Sequence, residues 1–228
     1  MWTATNSEGY PAPVGLAVDA VVLTVRDQAL SVLAVEAPGG AFALPGGFVG
    51  PDEAPADTAR RKLAEKTGLD HPYLEQLATF ADPGRDPRGW IPTVAHLALV
   101  PPEVEGLWLP VRDAPPLVFD HAAILAAAVE RVEGKLWWSN VAIGMLPGDF
   151  TMSDARRVYE AIALTEYDPA TFARDLKATG LVEQTGGVRS EGRGRPAALY
   201  RFVSREPTWG AGRRKRVAEP LAPRTRRR

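Results

Sequence analysis

The segment Gly46–Asp70, "GGFVGPDEAPADTARRKLAEKTGLD", constrains the fold more than any other. Paired glycines end an apolar stretch. Pro55 then stands where a helix begins, and Gly68 where it stops. A proline in the first turn wastes no hydrogen bond, and a glycine past the last turn takes the left-handed backbone that closes a helix. The spacing predicts a strand, a short loop and one amphipathic helix. On that helix positions 62, 65 and 66 stand at i, i+3 and i+4, so Lys62, Glu65 and Lys66 share one side.

Other segments read as follows. Val14–Val25 and Leu30–Ala37 are valine-rich and read as two strands around a "RDQ" hairpin turn. "APGGAFALPGGFV" is a Gly/Pro-rich loop with a short strand inside. "LEQLATFAD" and "TVAHLALVP" read as strands flanking the loop "PGRDPRGWIP", and "FDHAAILAAAVERVEGKL" as a helix with Asp120 as N-cap. The texture changes near Thr151. "TMSDARRVYEAIALTE" is an amphipathic helix with Ser153 as N-cap. "YDPATFARDLKATG" is a second, with Asp168 as N-cap, Pro169 in the first turn and Gly180 as the stop. "LVEQTGG" and "AALYRFVS" then read as strands around the basic turn "VRSEGRGRP". Two helices and a hairpin with a basic tip outline a winged helix. "GRRKRVAEPLAPRTRRR" lacks periodicity and reads as a disordered basic tail.

Charge follows the same division. The 228 residues sum to −1, but residues 1–150 carry 10 Lys+Arg and 19 Asp+Glu, a net −9. Residues 151–228 carry 17 and 9, a net +8, which makes the back half the candidate for a polyanionic partner. With 45% hydrophobic residues a packed core is expected, and with no cysteine, disulfides and thiolate metal sites are excluded. No apolar run approaches the roughly 20 residues that span a bilayer. No secretion signal is seen at the N-terminus, so a cytoplasmic protein is expected.

The Gly46–Asp70 segment resembles the Nudix family. That family's box runs Gly, five residues, Glu, seven residues, then Arg-Glu-apolar-x-Glu-Glu-x-Gly-apolar. Here Gly47, Glu53, Arg61, Leu63, Glu65, Gly68 and Leu69 match, while Lys62 and Lys66 stand at two of the Glu places. Pyrophosphate hydrolysis uses a divalent metal to neutralise phosphate oxygens and activate water, and Mg²⁺ takes oxygen ligands. Ammonium groups repel it. The pattern argues against metal-dependent hydrolysis. It suggests instead a salt-bridged cluster in which Lys62 and Lys66 flank Glu65 beside Glu53.

"DPGRDPRG", Asp82–Gly89, resembles a loop of Nudix proteins that handle ADP-ribose and related nucleotide sugars. Arg85 and Arg88, with Asp86 between them, offer planar forks for phosphate. Phe48, Trp90 or Tyr73 would stack on an adenine. Arg61, Lys62, Glu65 and Lys66 complete the candidate ligand site. His71, His96 and His121 show no metal-ligand spacing.

The two halves together resemble the NrtR-type Nudix-related transcriptional regulators. That resemblance implies an α+β fold: a Nudix-like α/β/α sandwich with a mixed sheet over 1–148, a winged helix-turn-helix over 149–205, and the basic tail over 206–228. It also implies a homodimer on a palindromic double-stranded operator, regulated by a metabolite such as ADP-ribose and needing no cofactor. On the second helix Thr171, Arg174 and Lys177 would face DNA, with Arg193 and Arg195 at the wing tip and Arg156 on the preceding helix. The competing reading is an active hydrolase of ADP-ribose-like compounds with an appended nucleic-acid-binding module.

Overall fold

The computed structural model describes residues 5, 8–9, 15–69, 73–190 and 196–206. They fall into two compact units: Met1–Leu23 with Ser31–Val129, and Thr24–Leu30 with Glu130–Arg228. The division falls inside a helix, His121–Lys135.

The first unit is built on one mixed sheet. The strands of that sheet are β1 (Ala17–Arg26), β2 (Ala29–Ala37), β3 (Ala41–Ala43), β4 (Gly46–Phe48), β5 (Tyr73–Phe80), β6 (Thr93–Leu99) and β7 (Leu107–Pro110), with the hairpin end of β1 and β2, Thr24–Leu30, counted in the second unit. The order is β3-β2-β1-β6-β5, with β4 on β1 and β7 on β2. β1 and β6 run parallel, from Ala17↔Thr93 to Leu23↔Leu99, while β4, β5 and β7 pair antiparallel. Every residue of β6 is buried, as befits a central strand covered on both faces. The hairpin turn between β1 and β2 rests on Asp27 and Gln28, at φ 48° and 64°, the mirror-image turn that matches strand twist.

Helix α1 (Pro55–Thr67) begins with its proline and ends at Gly68, at φ 69°, as expected. It buries Thr58, Ala59 and Leu63. Leu63 joins Ala20, Val22, Leu33, Ala98, Val100 and Val104 in the core. Beside it, Gly46 lies so close to β1 that a Cβ would meet the Val18 carbonyl at 2.4 Å and Asp19 Oδ1 at 2.6 Å. Only glycine fits there. Helix α2 (His121–Lys135) follows, with Ile124 and Ala128 fully buried. The Asp120 carbonyl accepts from Ala123 and Ile124 at its start. The Asp120 carboxylate, expected to cap the helix, is held instead by Arg85.

The second unit contains β8 (Phe150–Thr151), α3 (Met152–Ala163), α4 (Pro169–Ala178), β9 (Val182–Arg189) and β10 (Ala197–Phe202), with sheet order β8-β10-β9. The N-cap of α3 is Thr151 and not Ser153. Thr151 and Asp154 form a reciprocal capping box, which satisfies two backbone donors and outcompetes a lone serine. Asp168 caps α4 as expected, accepting from the Thr171 N–H at 2.8 Å. Trp137, Tyr159 and Phe172 meet edge-to-face, with centroids 5.2–5.6 Å apart, and form the unit's aromatic core.

Candidate functional site

A chain of charge runs along α1. Glu53, in the loop before the helix, accepts from Arg61 through both oxygens at 2.7 Å and from the Thr58 hydroxyl at 2.7 Å. The Arg61 fork lowers the Glu53 carboxyl to about 2. Arg61 reaches on to Glu65 at 3.1 Å, and Lys62 donates to the other Glu65 oxygen at 3.0 Å. Lys62 and then Arg61 hold Glu65 below its ordinary range. The expected cluster therefore forms with a different membership. Arg61 links the two glutamates, Lys62 flanks Glu65, and exposed Lys66 pairs with neither. The Lys62 stem lies against Gly47, where a Cβ would sit 3.0 Å from Lys62 Cε. With both glutamates already bonded to cations, these residues do not fit a Mg²⁺ ion. Among the described residues no group of three His, Asp or Glu side chains stands ready to hold a metal.

The loop Asp82–Gly89 is two successive turns, Arg85 N–H to Asp82 and Gly89 N–H to Asp86. Its two arginines have opposite fates. Arg85 turns inward. It donates to Asp120 through two nitrogens, to the Ile91 carbonyl at 2.8 Å and to Asp19 at 3.4 Å. The expectation that both arginines offer free forks is thus corrected for Arg85, whose guanidinium is engaged in the protein. Arg88 turns outward, 59% exposed and held by buried Asp86 at 2.6 Å. Its guanidinium carbon lies 5.4 Å from the Phe48 centroid and 5.5 Å from that of Phe119. Next to it is a depression of about 510 Å³ lined by Gly84, Arg85, Pro87, Val118, Phe119 and Asp120.

The other aromatic candidates are placed differently. Trp90 is partly exposed and donates to the Ala81 carbonyl at 3.0 Å, and the Tyr73 hydroxyl donates to Glu75. His96 is buried, and burial lowers its pKa. His71 lies outside the described residues. His121 is buried beneath Phe119, accepting from the Leu44 N–H at 2.9 Å and facing Asp19 at 3.5 Å. Phe119, Asp120 and Asp19 carry no local signal that marks them as neighbours of this loop. Only the fold brings them there.

In the second unit, Arg174 is 71% exposed and donates to its neighbour Asp175 at 2.9 Å. Thr171 is half-buried in the first turn of α4, and Lys177 rests over the Tyr200 ring at 5.1 Å. Arg156 was expected to face DNA, but it donates to Glu160 at 2.6 Å while Glu160 accepts from the Tyr167 N–H at 2.8 Å. It braces the connection between α3 and α4. Arg189, not anticipated as a contributor, pairs with Asp154 in the first turn of α3. Arg193 and Arg195 lie outside the described residues.

The NUDIX domain model matches residues 14–128, and the NrtR DNA-binding winged helix domain model matches residues 142–202. This chain belongs to the NrtR-type Nudix family. It is 34% identical over 211 residues to an ADPR responsive transcriptional repressor of Acinetobacter baylyi, covering 85% of this chain and 84% of that protein. Shewanella oneidensis NrtR, solved with a 27mer DNA, matches with a TM-score of 0.73 and 37% identity over 82% of this chain and 93% of that one. An ADP-ribose pyrophosphatase of Methanocaldococcus jannaschii is 33% identical over 94 residues, 38% of this NrtR-type chain and 56% of that protein. The likeness to the pyrophosphatase spans 38% of this chain, and that to the NrtR structure spans 82% of it.

Proposed function

We propose that this chain is a DNA-binding transcriptional repressor whose Nudix unit senses ADP-ribose or a closely related phosphorylated nucleotide without cleaving it. The observation that carries this reading is the joining, in one NrtR-type chain, of a winged helix to a Nudix helix whose glutamates are held by Arg61 and Lys62. Regulation of NAD or sugar metabolism genes follows the same family likeness. The sensing unit occupies residues 1–148, the DNA-binding unit 149–205 and a basic tail 206–228.

Arg61, Lys62, Lys66 and Arg88 supply positive charge for the effector's phosphates, Glu65 orients Arg61 and Lys62, Asp86 orients Arg88, and Phe48 takes the base. Arg174, Thr171 and Lys177 meet DNA, and so do Arg193 and Arg195, which lie outside the described residues. The protein acts as a cytoplasmic homodimer on a palindromic operator, so that two recognition helices meet two half-sites. Among the described residues no helix is long and apolar enough to cross a membrane. The effector releases DNA by binding more tightly to the dimer geometry in which the wings mismatch their half-sites. Without that difference in affinity it would shift nothing.

The second reading is hydrolysis of ADP-ribose, favoured by the likeness of 94 residues of this chain to the Methanocaldococcus pyrophosphatase. One experiment separates them. DNA from upstream of the protein's own operon is gel-shifted with excess competitor and titrated with ADP-ribose, and the same mixtures with Mg²⁺ are analysed for products. A specific shift released by ADP-ribose, with no product, is the expected result. Metal-dependent cleavage without a specific shift would make the protein an enzyme.

A further inference from the structure

Phe48 and Phe119 are 47% and 46% exposed, and they lie far apart in the sequence of the Nudix unit. Each ring is backed by the protein. Phe48 lies against Gly15, where a Cβ would meet the ring at 2.9 Å, and Phe119 meets His121 edge-on at 5.4 Å. The Phe119 backbone sits at φ 56°, a left-handed conformation that bulky side chains rarely adopt. It is held there from both sides. The Val118 N–H donates to the Phe42 carbonyl, and Asp120 is gripped by Arg85. Strain kept in place by its surroundings, and a large apolar ring kept in water, belong together at ligand sites.

Arg88 now fills the space next to both rings. A guanidinium is planar and stacks on aromatic faces, as a nucleobase does. A base that enters must displace it from Asp86, which the side chain meets at 2.6–3.2 Å; Asp86 also accepts from the Arg88 backbone N–H at 2.9 Å and so keeps one bond to the loop when the guanidinium moves. One residue from Phe48, Gly47 lies against the Lys62 stem, which puts an ammonium within reach of a phosphate attached to a base over Phe48.

We propose that Phe48 and Phe119 form an aromatic slot for the purine base of the effector, occupied in its absence by the Arg88 guanidinium, and that Phe119 makes the site select a base-bearing phosphate over a bare sugar phosphate. This deepens, and rests on, the reading of the Nudix unit as a nucleotide sensor.

The test is calorimetric titration of the full chain with ADP-ribose, AMP and ribose 5-phosphate, for wild type, Phe48→Ala and Phe119→Gly. Glycine accepts the left-handed backbone, so the second variant removes the ring while relieving strain. Each variant is expected to bind ADP-ribose and AMP about tenfold more weakly, the scale of one base–aromatic stack, and ribose 5-phosphate as wild type does. Equal weakening for all three ligands, or unchanged ADP-ribose and AMP binding by Phe119→Gly, overturns the slot. Wild type that binds AMP and not ADP-ribose, with AMP lost in the variants, keeps the slot and removes ADP-ribose as effector. Wild type that binds neither nucleotide removes the slot.

Discussion

Arg85 donates to both carboxylate oxygens of Asp120, at 2.8 and 2.7 Å, from a side chain only 4% exposed. This pair ties the Asp82–Gly89 loop to the start of α2 and sets Phe119 beside Arg88. Removing one partner of a buried pair leaves the other charge uncompensated. Arg85→Ala is therefore expected to cost about 3 kcal/mol of stability, read from chemical denaturation. Arg85→Lys recovers little, because an ammonium cannot reproduce the fork. A variant as stable as wild type would show that the pair does not hold the loop.

Tyr159 is fully buried among Trp137 and Phe172, and its hydroxyl has no hydrogen-bond partner among the described residues. Burial pushes its pKa up. A buried unsatisfied polar group is a cost in the folded state, so Tyr159→Phe is expected to stabilise the protein by about 1 kcal/mol. A lower Tm in the variant would mean that the hydroxyl is satisfied.

Acid sensitivity follows from His121. Its Nδ1 accepts the Leu44 N–H, so the folded state needs the neutral ring, and burial lowers its pKa. Asp19, Asp120 and Asp86 oppose that shift and Arg85 assists it. The unfolded imidazole takes up its proton near pH 6.5, where the folded one does not. The His121 contribution to stability is therefore complete above that pH and lost as pH falls below it. The Tm advantage of wild type over His121→Gln should narrow between pH 7 and pH 5. A widening gap would show that the folded state favours the charged ring.

Arg174 and Arg156 differ in what they touch. Arg174 projects into solvent beside Asp175, whereas Arg156 is bonded to Glu160. Arg174→Ala should weaken operator binding and, if the contact is to phosphate, reduce the slope of log affinity against log salt by about 1. Arg156→Ala should lower the Tm by loosening the α3–α4 connection, with the salt slope unchanged. The reverse assignment would place Arg156 on the DNA.

What was legible in the sequence was local. Pro55 with Gly68, and Asp168 with Pro169, mark helix ends through bonds made within a few residues, and both helices form where expected. The capping box of Thr151 and Asp154 was local too, and Ser153 obscured it. The strands β7 and β8, four and two residues long, have no pattern of their own and exist through pairing with β2 and β10. The two loop arginines were indistinguishable in sequence. Asp120, 35 residues from Arg85, decides which of them turns inward. Phe119 next to Arg88 is the same kind of fact, since its exposure depends on a turn fixed by Phe42 and Arg85.

Lys62→Glu with Lys66→Glu tests the Nudix helix directly. It places three carboxylates, with Glu65, at i, i+3 and i+4, and leaves Arg61 as the one cation bonded to Glu53 and Glu65. A diphosphate approaching that face would meet negative charge where it now meets ammonium. ADP-ribose affinity without metal should fall about tenfold, an order-of-magnitude expectation for losing charge-assisted contacts to phosphate. Millimolar Mg²⁺ should restore much of it, since the metal can then bridge the carboxylates and the phosphates. Titration with and without Mg²⁺ reads both effects. If affinity and metal dependence match wild type, Lys62 and Lys66 have no part in the pocket, and the cations on this helix serve only to hold its glutamates.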